Sequence, residues 1–224
     1  MGTILASKIA ADAAKDLHDP GYDRFDATID HLQWINDGQR EIAKLKPDSS
    51  ITTAPKILVA GTKQVLASNE MALIKLTRNM GTDGTTPGKP IHFVDMDHFS
   101  LHNPGWQTDT ANAVVRVYML DDRFPRNYFV YPQQPTSNQG YVERVTSDIP
   151  TDLTLISSPI TLGDEYERAL YDYDMFRALS INAKSSPIAK VEALRHWNSF
   201  VTILDRRDLV EKIYSPTSRK GVRA

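Results

Sequence analysis

Cysteine is absent from the 224 residues. That removes disulfides, thiolate metal sites and cysteine nucleophiles together, and it fits synthesis in a reducing cytoplasm. No run of about 18 apolar residues occurs, so the sequence predicts no membrane-spanning helix. The first residues, MGTILASKIAADAAKDL, interleave apolar and charged positions too often for a secretory signal and show no cleavage site. Ala6 stands where a myristoylation signal has Ser or Thr. An excess of either charge is also missing. The formal net charge of −2 gives no electrostatic reason to expect a general nucleic-acid binder.

What is present is an ordinary globular composition, 41% hydrophobic. A chain of this length buries roughly 70% of its unfolded surface, enough for one sizeable core or a core with a satellite module. Helical periodicity appears at the two ends. Leu5, Ile9, Ala13 and Leu17 recur every four residues before the turn sequence HDPG at 18–21. Asp23 is placed to cap a second helix whose buried face is Ile29, Leu32, Ile35, Ile42 and Leu45, ended by Pro47 and weakened by Gly38. Thr161 opens a third, with Asp164 as the carboxylate of a capping box and Tyr166, Ala169, Leu170, Tyr173 and Phe176 at helical spacing. Ser186-Pro187 starts a fourth, with Val191, Leu194, Trp197, Val201 and Leu204 as its stripe.

Between the helix pairs the period falls to two. Segments 56–60, 72–80, 91–94, 113–120, 127–131 and 141–146 are rich in Val, Ile, Tyr and Phe and predict strands. The clearest hairpin joins VVRVYML to NYFVYP across residues 121–126. No repeat is present. The fold predicted is α+β: a four-helix bundle from N- and C-terminal helix pairs (1–50 and 158–214), an inserted antiparallel β-sheet module (51–157), and an extended C-terminal tail (215–224). That tail carries Arg219, Lys220 and Arg223 without an acid, a composition that does not order alone.

Chemistry is sparse. His98 and His102 stand at the i, i+4 spacing of zinc hydrolases, but Phe99 occupies the place of the glutamate in HExxH, and Pro104-Gly105 follow at once. The loop GTDGTTPGKP at 81–90 has the glycines and lysine of a phosphate loop, yet Lys89 is followed by Pro90 instead of Ser or Thr. Asp121-Asp122 fall in a hairpin turn, and Asp164, Glu165, Glu167, Asp172 and Asp174 are expected largely on the solvent face of a helix. No GxSxG elbow occurs. Tyr118, Tyr128, Phe129 and Tyr131 cluster on paired strands among mixed charges, which predicts packing rather than base stacking. No cofactor is expected.

Several spaced segments then resemble one family. WINDGQREI at 34–42, RNMGTDGTTPGKPIHFVD at 78–95, NPGWQTD at 103–109, YFVYPQQP at 128–135 and ITLGDEYERALYDYDMFRALS at 160–180 are similar, in this order, to head-to-tail adaptor (connector) proteins of short-tailed, podovirus-type bacteriophages. The resemblance implies a non-enzymatic virion protein made in the host cytoplasm. It implies a ring of 12 copies under the portal protein, joined to a tail tube or nozzle protein, with DNA passing through the channel without specific binding and no membrane involved. It also implies a portal-gripping C-terminus, here Tyr214, Pro216, Arg219, Lys220 and Arg223. The alternatives are a tail-completion or tail-tube protein and a metal-dependent hydrolase using His98 and His102.

Overall fold

The computed structural model describes residues 2–121, 123–124, 126–183 and 186–214, with 206–214 as backbone alone. The fold is α+β, and the chain divides into two compact units, residues 1–49 with 150–224, and residues 50–149.

The first unit holds helices α1 (Ala6–Asp16), α2 (Leu32–Leu45), α4 (Glu167–Asn182) and α5 (Pro187–Tyr214). Alanine and isoleucine at helical spacing let α1 pack closely, burying Ala6, Ile9, Ala10 and Ala13. Segment 150–160 is stitched onto the helices by Asn36, whose side chain accepts from Leu153 N–H (2.8 Å) and donates to Leu153 C=O (3.0 Å). Backbone bonds from Ala6 to Ser158 and from Ser7 to Ile156 complete the seam. Ile9, Ile35, Ile42, Leu170 and Phe200 lie at the centre of the core.

Two helix starts and one buried face differ from the sequence reading. Asp26, not Asp23, caps the second helical segment, accepting from the Thr28 and Ile29 amides. The turn it starts, Ala27–His31, is a π-helix closed by His31 N–H on Asp26 C=O. A π-turn holds an extra residue, so it rotates the side chains before it relative to α2. Ile29 is therefore 67% exposed and His31 fully buried, and Leu45, at the other end, is 51% exposed. Asp164 does not close a capping box with Thr161. It reaches across to the N-terminal segment, accepting from Thr3 N–H (2.5 Å), Thr3 Oγ (2.6 Å) and Ile4 N–H (3.0 Å). On α5, Ser186 does cap, taking the Ala189 amide at 3.3 Å. The buried face of α5, however, is Ala193, Phe200 and Leu204, while Val191 and Leu194 are 63% and 51% exposed.

Gly38, costly to the helix as such, is also a close-approach point. A Cβ there would stand 3.0 Å from Tyr173 Cδ1 and 3.1 Å from Leu170 Cδ2. The missing side chain is what lets α2 and α4 meet.

The second unit contains β1 (Ile51–Ile57), β2 (Gly61–Val65), β3 (Glu70–Asn79), β4 (His92–Phe93), α3 (Met96–His102), β5 (Val117–Leu120), β6 (Asn127–Gln134) and β7 (Tyr141–Asp148). Two sheets form, ordered β1-β7-β3 and β2-β6-β5-β4. All pairings are antiparallel except the two-residue β4–β5 pair. The β5–β6 hairpin pairs Leu120 with Tyr128 and Val117 with Tyr131. Strict alternation on β6 sends Tyr128 and Val130 inward against Leu58, Leu76, Tyr118 and Val142. Arg144, 4% exposed, is paired with Glu70, so this charge enters the sheet interior with a partner.

Candidate functional site

Of the residues that the sequence nominates for portal binding, Tyr214 is the last of α5. Pro216, Arg219, Lys220 and Arg223 lie outside the described residues.

His98 and His102 do share one face of a helix, the short α3, which Asp95 caps by accepting the His98 amide at 2.8 Å. Their ring centroids are 4.6 Å apart, and His102 Nδ1 bonds the His98 carbonyl at 3.0 Å. Among the described residues no group of three or more His, Asp or Glu is arranged to hold a metal ion. Loop 81–90 is shaped by Asp83, which accepts from both the amides and the hydroxyls of Thr85 and Thr86. Those bonds, the Thr85 hydroxyl first, hold its carboxyl well below the usual range. The carboxylate fills the turn that a phosphate would need.

The carboxylates of α4 overturn the expectation of a solvent face, because Asp172 and Asp174 are both fully buried. Each is paid for by a partner from another helical segment. Asp174 Oδ2 meets His31 Nδ1 at 2.8 Å, inside a cage of Tyr22, Phe25 and Trp34 rings packed edge-on to the imidazole or to one another. Burial pushes the Asp174 carboxyl up to about 6, against the opposing pull of the His31 bond. Asp172 Oδ1 meets His196 Nδ1 at 2.8 Å, and its Oδ2 accepts from Ser199 Oγ at 2.8 Å, tying α4 to α5.

Serine, histidine and aspartate therefore converge, but in an order that does not activate a nucleophile. Catalysis needs the imidazole between hydroxyl and carboxylate, to take the hydroxyl proton. Here the carboxylate sits between, and Ser199 donates directly to it. The arrangement is a fastener.

Tyr171, beside this cluster, donates to Asp16 on α1, and burial together with that bond pushes its hydroxyl up. On the β unit, Phe129 and Tyr131 pack against Trp106 and Phe99, so the strand aromatics are engaged within their own unit.

In the helical unit the buried Asp172 and Asp174 fasten helical segments to one another. A sequence-family model described as SU10 adaptor protein matches residues 5–220. The chain belongs to that family, the head-to-tail adaptors of bacteriophages, which are structural components of the virion. Comparison with curated proteins returns no match.

Proposed function

We propose that this chain forms a ring beneath the phage portal and links the portal to the tail, so that DNA is retained and then passes through the ring channel. The observation that carries the reading is the family match across residues 5–220. In this reading α1, α2, α4 and α5 form a four-helix bundle that makes the ring body, and the β unit meets the tail tube or nozzle protein. Twelve copies assemble on the portal protein. Tyr214, Pro216, Arg219, Lys220 and Arg223 grip it, since a cationic segment orders when a partner supplies carboxylates. The subunit is made in the host cytoplasm and acts in the virion, with no catalytic step. Among the described residues no helix is long and apolar enough to cross a membrane.

Electron microscopy of the protein mixed with its cognate portal tests this. Rings seated on one end of the portal are expected, and portals that remain bare at saturating protein would overturn it.

A further inference from the structure

The β unit holds a groove with a cavity of about 840 Å³, walled on one side by loop 81–90 and on the other by residues 112–116. Asn79, 5% exposed, is its floor and fixes both walls at once. Its side-chain amide donates to Lys89 C=O (2.9 Å) and Val115 C=O (2.8 Å), and its side-chain oxygen accepts the Val115 amide (2.8 Å). Its own backbone also exchanges bonds with the loop, donating to Lys89 and accepting from Gly88. These bonds tie both walls to one buried residue, which lowers the cost of ordering the backbone of the walls around a ligand.

The lining has a definite chemistry. Pro87, Pro90, Ala113 and the 46%-exposed Val114 give apolar contact. Lys89 stands on one wall, and Arg116 and His92 on the other side, and among the described residues no carboxylate lines the groove. Among the described residues neither Lys89 nor Arg116 is within salt-bridge distance of an acid, and both are exposed. Among the described residues no Phe, Tyr or Trp lines the groove, so these offer no stacking platform of the kind found in a single-strand nucleic-acid channel.

From this complementarity we propose that the groove docks an extended peptide segment of a partner protein, one that alternates apolar and acidic residues. Apolar side chains rest on Val114 and the prolines while carboxylates reach Lys89 and Arg116 on the rims. The site belongs to the β unit alone and does not depend on ring formation.

The test uses the full-length chain, labelled for amide NMR, titrated with a capped peptide of alternating glutamate and valine. Shifts confined to the amides of residues 81–89 and 113–116 are expected. The affinity should fall about tenfold in Lys89→Glu/Arg116→Glu and in Val114→Asp, and weaken as salt is added. All three positions are exposed, so the variants keep the fold. Absence of shifts at millimolar peptide, an equal response to a lysine-valine peptide, or tighter binding of a short DNA duplex in the same groove would each overturn the proposal. None of these results bears on portal attachment, because no portal is present in the experiment.

Discussion

His31 Nδ1 lies 2.8 Å from Asp174 Oδ2, and neither side chain has any exposed surface. Among the described residues His31 Nε2 and Asp174 Oδ1 find no hydrogen-bond partner. Among the described residues the bond between this imidazole and this carboxyl group is therefore the whole compensation for burying both, and it joins the π-turn before α2 to α4. Removing one partner strands the other. His31→Ala should destabilise the fold by about 3–5 kcal/mol, read from urea unfolding. A loss within error of zero would mean that the pair has no structural weight.

The same carboxyl gives a pH signature. Its folded value, about 6, is raised from 3.8, so the native state holds a proton that the unfolded chain has released. The resulting stabilisation is complete below pH 3.8 and is lost as pH rises through about 6. Asp174→Asn lacks this term. Between these limits the stability of the natural chain relative to the variant should fall, on the order of 2–3 kcal/mol. Unfolding curves of both proteins across this range check it, and parallel pH profiles would contradict it.

Gly38→Ala sets helix propensity against packing. Alanine gains about 1 kcal/mol in a helix interior. Its methyl would meet Tyr173 and Leu170 at 3.0 and 3.1 Å, tighter than normal contact, with both neighbours held in the core. Overpacking of this kind costs about 1–3 kcal/mol, so a net loss is expected in chemical denaturation. A stabilised variant would show that α2 and α4 separate freely.

Asp164 anchors the N-terminal segment through three bonds from Thr3 and Ile4. The Thr3 hydroxyl, first among them, holds its carboxyl below the ordinary range, so this anchor is present above the unfolded value and is lost as pH falls through the folded one. In Asp164→Ala the amides of Thr3 and Ile4 should exchange with solvent much faster, while the amides of α4 keep their protection. Unchanged exchange at Thr3 and Ile4 would remove Asp164 from this role.

The elements were legible where one physical signal decides them. Alternation marked β6, the turn 121–126 marked the β5–β6 hairpin, and Ser186-Pro187 marked the start of α5. The sequence erred where a side chain looks beyond its own segment. Asp164 has capping-box spacing from Thr161, yet its partners are Thr3 and Ile4, some 160 positions away. Asp172 and Asp174 read as solvent-facing because helical periodicity counts charge as outward. The surrounding YDYDMF offers a clue, since Tyr171 and Tyr173, two positions apart, lie on opposite sides of a helix, and Ala169 through Met175 are all buried. On α5 the apolar residues near the start, Val191 and Leu194, have core spacing in the sequence, yet the helix turns Ala193 inward. Nothing in a linear pattern reveals a π-turn, and that one extra residue exchanges Ile29 for His31 in the interior.

Portal attachment is tested most directly at the C-terminus. Residues 215–224, SPTSRKGVRA, contain three cations, no acid and almost no apolar side chain. Such a segment contributes little hydrophobic burial to repay the entropy of ordering it. Deleting it should leave the thermal midpoint of the free protein nearly unchanged, because so polar a segment has little apolar surface to add to a core. Binding to portal rings should weaken or vanish. Replacing Arg219, Lys220 and Arg223 with Ala should weaken it most at low salt, since charge-assisted contacts are the ones that ions screen. Cosedimentation with portal rings at two ionic strengths measures both effects. Full binding by the truncated chain would move the portal contact onto the helices, with the exposed Ile188, Val191 and Leu194 of α5 as the next surface to alter.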